Sequence, residues 1–318
     1  MQPDKPDVVR IGTRASALAQ AQSRWVQAHV AEALGAAPER ADQVAPLVLI
    51  TTSGDRMQDR RLLEIGGKQL FTKEIEDALL DGRIDLAVHS LKDVPAMLPD
   101  GLGIAAMPQR EDPRDALISN RYASLDALPQ GARIGTASLR RQAQLKARRP
   151  DLQIAMLRGN VDTRLKRLDA GDFDAIILAQ AGLNRLGLGD RAREAFDPIA
   201  MPPAPGQGAL ALQTRETDGA PIWLSRLHHR PTEIVLAAER GALYALEASC
   251  KTAMGAYAYI EGDAIKMVVE ALTADGQTRW RREGQAPVTA DAVHDAHALG
   301  VTLGAQVRVA AGDQLIIA

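Results

Sequence analysis

Short apolar runs alternate with stretches of helical periodicity through the N-terminal half of the chain, the pattern of an α/β domain. Residues 8–11 read as a strand and Gly12-Thr13 as a turn. Apolar positions recur at helical spacing over 15–34, and Gly35 supplies a stop. The pattern then predicts a strand at 44–51, a helix at 71–80 ended by Gly82, and a buried strand at 85–89. Between them, 52–68 carries charges and three glycines but weak periodicity. Met201-Pro202-Pro203-Ala204-Pro205-Gly206-Gln207-Gly208 can continue neither a helix nor a central strand. After it the periodicity predicts a helix at 232–248 and strands at 256–260, 265–272 and 278–283. Glu261-Gly262-Asp263 joins the first two strands as a hairpin, and 291–304 reads as a closing helix. This last part is a small α+β domain.

Two echoes divide the α/β part. Arg10-Ile11-Gly12-Thr13 recurs as Arg133-Ile134-Gly135-Thr136, each soon followed by Ala-Ser (Ala15-Ser16, Ala137-Ser138) where a strand gives way to a helix. Gly82-Arg83-Ile84-Asp85 is answered by Gly171-Asp172-Phe173-Asp174, each leading into an apolar strand. The same order in both halves predicts two similarly built domains. Strand-to-helix turns expose backbone N–H groups at the positive end of the helix dipole, so each domain offers an anion site, and two facing domains make a cleft.

A length of 318 residues suits two or three domains, and 46% hydrophobic with 25% charged residues excludes wholesale disorder. The longest apolar runs fall well short of the roughly 18 residues a membrane span needs. The N-terminus has neither a basic start nor an apolar run, so a cytoplasmic protein is expected. A single cysteine excludes an internal disulfide framework and a cysteine-based zinc site. The net charge of −2 conceals an asymmetry: residues 133–167 hold ten basic residues against Asp151 and Asp162. Such a segment attracts a polyanion, unless it is a solvated face. It contains no aromatic residue on which bases could stack, and arginine outnumbers lysine eight to two. A small ligand with several carboxylates or phosphates fits better than nucleic acid.

Individual residues leave alternatives open. Lys92-Asp93-Val94-Pro95 follows a buried strand, so Asp93 is either a positioned acid/base group or a turn cap. Cys250 is either a small buried hydrophobe or, beside Lys251, a reactive thiolate. Gly66-Gly67-Lys68 is part of a mobile lid or an ordinary exposed loop. His228-His229 and the His294/His297 pair read as surface residues, without a third metal ligand at recognisable spacing. Trp25, Trp223 and Trp280 are expected in cores.

Taken in order, the motifs resemble the porphobilinogen deaminase (hydroxymethylbilane synthase) family over nearly the whole chain. They are 11–16, 66–74, 85–95, 110–116, 135–141, 157–164 and 205–208. The resemblance implies two α/β domains of the type II periplasmic-binding-protein kind flanking a cleft, plus a small α+β C-terminal domain. The divisions would be 1–108 with 203–226 (lid at 52–70), 109–202 and 227–318. It implies a monomeric transferase of tetrapyrrole and heme biosynthesis that joins four porphobilinogen molecules head to tail into hydroxymethylbilane, releasing ammonia. The primer would be a dipyrromethane cofactor bound through a thioether to Cys250. Asp93 would be catalytic, helped by Lys92 and Arg14, with Ser90, Lys92, Asp93, Thr136, Ser138, Arg140 and Arg141 around the cofactor. Arg14, Ser16, Lys68, Arg158, Arg164 and Arg185 would bind acetate and propionate groups of porphobilinogen and its linear oligomers. No metal, nucleic acid or membrane enters.

The chain departs from the family pattern in three places. Ala248-Ser249-Cys250-Lys251-Thr252-Ala253-Met254-Gly255 has lost two glycines and a proline, which alters the cysteine loop while leaving the sulfur. Gln69 replaces a common glycine, and Ala15 and Ala17 replace residues commonly Gln and Pro. Two rival functions remain at this point: a non-catalytic anion sensor, which needs neither Asp93 nor Cys250, and a nucleic-acid binder using the basic segment.

Overall fold

The computed structural model describes residues 7–53, 72–219, 221–247 and 252–315. They divide into two compact units. The first comes from 7–53, 72–111 and 209–232, the second from 112–208 and from the described residues beyond 233. The segment 54–71, with Lys68, and the loop 248–251, with Cys250, lie outside the described residues.

The first unit is a five-stranded sheet of β1 (Ile11–Thr13), β2 (Leu47–Leu49), β3 (Leu86–Ser90), β4 (Leu102–Ala106) and β10 (Leu210–Arg215), in the order β2-β1-β3-β10-β4. β1 runs parallel to both neighbours, whereas β10 is antiparallel to β3 and β4. Helix α1 (Ala17–Ala33) covers one face, where Val26 and Val30 pack with Ile11, Leu86 and Val88. Helix α2 (Lys73–Leu80) covers the other, where Ile75, Ala78 and Leu79 pack with Ala87 and Ile84. Alternate residues of β3 thus face opposite cores, which is why 86–89 reads as a continuous buried run.

The second unit repeats this plan with β5 (Asp115–Ile118), β6 (Arg133–Gly135), β7 (Gln153–Ala155), β8 (Ala175–Ala179) and β9 (Ala192–Ala195). Its order is β7-β6-β8-β5-β9, parallel around β6 and antiparallel at β5. Helix α3 (Leu139–Arg148) follows β6, α4 (Val161–Asp169) follows β7 and α5 (Gln180–Arg185) follows β8. The unit also holds a three-stranded antiparallel sheet of β11 (Met254–Glu261), β12 (Ala264–Leu272) and β13 (Arg279–Pro287). Helices α6 (Arg230–Ala245) and α7 (Ala292–Ala311) complete that α+β part.

The two echoes occupy equivalent places. Arg10 donates its backbone N–H to Asp85 Oδ2 at 2.9 Å, and Arg133 donates its own to Asp174 Oδ2 at 2.8 Å. Each pairing fixes where the parallel strand starts beside its neighbour. A Cβ on Gly12 would meet Ile84 Cδ1 at 2.3 Å, and one on Gly135 would meet Leu157 Cδ2 at 2.7 Å and Phe173 Cδ1 at 3.0 Å. The third residue of the second echo packs over each glycine, so a side chain there would have to push that neighbour aside.

Several sequence expectations need correction. Gly12-Thr13 is the end of β1, not a turn; the glycine signals close packing rather than chain reversal. The strand expected at 44–51 is shortened to Leu47–Leu49, because Ala41–Val44 takes one helical turn. Trp25 is 44% exposed and lies against the His29 ring, centroids 4.0 Å apart. His228 and His229 are half-buried, the former accepting from Met107 N–H at 3.3 Å.

Candidate active site

In the first unit, β1 and β3 are parallel neighbours, so the residues following them gather at one sheet edge. Arg14 and Ser16 follow β1; Ser90 ends β3, and Leu91–Asp93 makes a single 3-10 turn after it. Val94 donates to Leu91 O at 3.0 Å and is buried, which locks the turn and leaves Lys92 and Asp93 exposed. Ser16 caps α1, accepting from Ala19 N–H at 3.3 Å. Gln22, one turn below Val26 on the buried stripe of α1, bonds Ser90 Oγ at 3.0 Å through Nε2.

Beneath this edge is a buried polar chain. His89 hydrogen-bonds Gln213 Oε1 at 2.9 Å, and Gln213 Nε2 donates to Glu76 Oε1 at 3.3 Å. Since an amide oxygen only accepts, His89 carries its proton on Nε2. Burial pushes the ring down to about 4 against the opposing Gln213 bond, and the charge of Arg14 adds to the shift. Burial raises the Glu76 carboxyl, with the hydrogen bond from Gln213 opposing.

In the second unit, β6, β7 and β8 likewise end at one edge. Thr136 and Ser138 follow β6. Thr136 Oγ1 accepts from Ser138 N–H at 3.2 Å, and Ser138 caps α3, accepting from Arg141 N–H at 3.4 Å. Arg140 and Arg141, on the first turn of α3, point inward and are 4% and 6% exposed. Arg140 Nη1 lies 2.6 Å from Asp115 Oδ2, and Arg141 Nη2 lies 2.7 Å from Asp115 Oδ1. Burial alone would raise the Asp115 carboxyl; the charges of Arg140 and then Arg141 override it and hold it far below the usual carboxylate range.

Arg158 follows β7 and has its Nη1 buried without a hydrogen-bond partner. Arg164, on α4, donates Nε to Gly159 O at 2.7 Å, and Arg185, ending α5, donates Nη2 to Gly208 O at 2.7 Å. Elsewhere in the basic segment Arg149 pairs with Asp151 and Arg167 with Asp172.

Arg14, Ser16, Ser90, Lys92 and Asp93 thus follow strand ends of the first sheet, and Thr136, Ser138 and Arg158 those of the second, while Arg164 and Arg185 lie further along α4 and α5. Within each unit, hydroxyls and guanidiniums make a donor set suited to a group carrying carboxylates.

Residues 9–221 match the family model "Porphobilinogen deaminase, dipyromethane cofactor binding domain", and residues 234–308 match "Porphobilinogen deaminase, C-terminal domain". The chain belongs to the porphobilinogen deaminase family. A porphobilinogen deaminase of Caulobacter vibrioides (strain NA1000 / CB15N) is 61% identical over 315 residues, spanning 97% of this chain and 98% of that protein. One from Phenylobacterium zucineum (strain HLK1) is 57% identical, spanning 99% and 100%. Among solved structures, a periplasmic substrate-binding protein of an ABC transporter from Coxiella burnetii aligns with TM-score 0.43 and 18% identity, covering 69% of this chain and 90% of that one.

For this porphobilinogen deaminase family member, sequence reading missed Gln22, Asp115, Gln207 and the His89–Gln213–Glu76 chain. Gln22 left a signal, a polar residue four before Val26 and eight before Val30 on an apolar stripe. Asp115 left none locally, although a segment so rich in arginine requires acidic partners from elsewhere.

Proposed function

We propose that the protein is a hydroxymethylbilane synthase: it deaminates porphobilinogen and links four molecules head to tail, in tetrapyrrole and heme biosynthesis. The observation that carries this reading is the gathering of Arg14, Ser16, Ser90, Lys92 and Asp93 at one sheet edge in a chain of this family. The dipyrromethane, bound through Cys250, supplies a nucleophilic pyrrole carbon to which the first substrate is joined. Asp93 stabilises the positive charge that develops on an aminomethylpyrrole as ammonia leaves, and it accepts the proton lost when the new carbon–carbon bond forms. Lys92 and Arg14 hold neighbouring carboxylates. Ser90, Thr136, Ser138, Arg140 and Arg141 bind the acetate and propionate groups of the cofactor. Ser16, Lys68, Arg158, Arg164 and Arg185 bind those of substrate and growing oligomer. The proposal includes three domains, divided as the family resemblance implies, and a cytoplasmic monomer that engages neither nucleic acid nor membrane. Among the described residues no helix is long and apolar enough to cross a bilayer.

The intact mass of purified protein tests the attachment: the parent carries a surplus equal to two linked pyrrole units, and Cys250→Ser carries none. Asp93→Asn is expected to keep that surplus and lose about a hundredfold or more in turnover. An unmodified mass on active parent enzyme, or full turnover by Asp93→Asn, overturns the assignment.

A further inference from the structure

Asp115 begins β5 and is 1% exposed. Besides the two ion pairs, Arg141 Nε donates to its Oδ1 at 3.0 Å and Gln207 Nε2 donates to the same oxygen at 2.9 Å. Gln207 Nε2 also reaches Pro113 O at 2.8 Å, so the amide ties Asp115 to the segment just before its own strand. The guanidiniums have further anchors: Arg140 Nη1 donates to Gln144 Oε1 at 2.9 Å and Pro202 O at 3.2 Å, and Arg141 Nη1 to Ile177 O at 2.9 Å. Two adjacent guanidiniums repel each other and lose hydration when buried. Asp115 offsets both effects for both side chains, and the node of Arg140, Arg141 and Asp115 keeps one net positive charge.

We infer that Asp115 is the positioning residue of the Arg140–Arg141 pair: it fixes the direction of both guanidiniums at the start of α3 and reduces their charge to a single unit, which a ligand carboxylate then neutralises. This rests on the proposed role of that pair in holding the cofactor. Without the acid, the two cations separate or draw in water, and their donors no longer stand at fixed places. Removing one partner of a buried ion pair also lowers stability, so stability alone does not distinguish positioning from scaffolding.

The test uses intact mass on the folded fraction, isolated by size exclusion, of parent, Asp115→Asn, Arg140→Gln and the double variant. Each single substitution is expected to lower the proportion of folded chains carrying the dipyrromethane surplus by about fivefold or more, with the double variant no lower than Arg140→Gln. Folded Asp115→Asn loaded as fully as a loaded parent, or losses that multiply in the double variant, overturn the inference alone. A parent without the surplus overturns the cofactor reading and the inference with it. If Asp115→Asn yields only aggregate, Asp115→Glu serves, since it keeps the charge and displaces the carboxylate by one methylene. Reduced loading of its folded fraction supports the inference, and parental loading overturns it.

Discussion

His89 sits one residue before Ser90, and its ring is held neutral by burial. Its folded value of about 4 lies below the ordinary 6.5, so the unfolded chain binds a proton first as the pH falls. The stability linked to this group is therefore complete above about pH 6.5 and drains between 6.5 and 4. At pH 5 the loss is about 2 kcal/mol. His89→Gln keeps an amide beside Gln213 but removes the titrating ring. Between pH 7 and pH 5 its melting temperature should fall by a few degrees less than the parent's. Superimposable profiles would show that the ring does not titrate as argued.

At the level of elements, α6 and α7 approach each other closely. A Cβ on Gly300 would lie 1.9 Å from Ala238 O, and one on Gly241 would lie 2.4 Å from His297 O. The two helices touch through their backbones, and no rotamer change can make room for a methyl group there. Gly300→Ala is expected to destabilise the protein by about 3 kcal/mol, read from the shift in denaturant midpoint. An unchanged midpoint would mean that the helices part without cost. The strand-to-helix turns were legible in the sequence because short-range chemistry makes them. Ser16 and Ser138 are capping residues, and Gly12 in β1 and Gly135 in β6 lie against the neighbouring side chain. The boundaries of β2 were not legible, since Val44, which ends the helical turn, fits a strand as well.

Across the molecule, the two α/β sheets have the same strand order, although their antiparallel strands come from different stretches of chain. β5 is the first strand after the chain leaves the first unit, and β10 is the first after it returns. Within the second unit, the small sheet is joined to the α/β part through α3. Gln144 donates to Glu270 Oε1 at 3.1 Å, and Gln142 donates to Ala274 O at 3.2 Å. Gly276, at φ 74°, turns so close to α3 that a Cβ would meet Ala143 O at 2.4 Å. Gly276→Val is expected to reduce hydrogen-exchange protection in α3 and β12 together, by about tenfold or more. Loss confined to the β12–β13 turn would show that the two parts are not coupled there.

The sequence by itself determined the class of the fold, its internal duplication, the helix-ending glycines and the candidate residues at the ends of strands. Those features depend on hydrophobic period, turn chemistry and local capping, which act over a few residues. Only the tertiary structure decided that Arg140 and Arg141 face inward onto Asp115, that Gln22 meets Ser90, and that His89 is linked through Gln213 to Glu76. Such pairings join residues from 25 to 137 positions apart. Nothing in a linear pattern specifies which buried acid answers which buried cation. The folded backbone chooses, because it alone sets their distance and excludes water from between them.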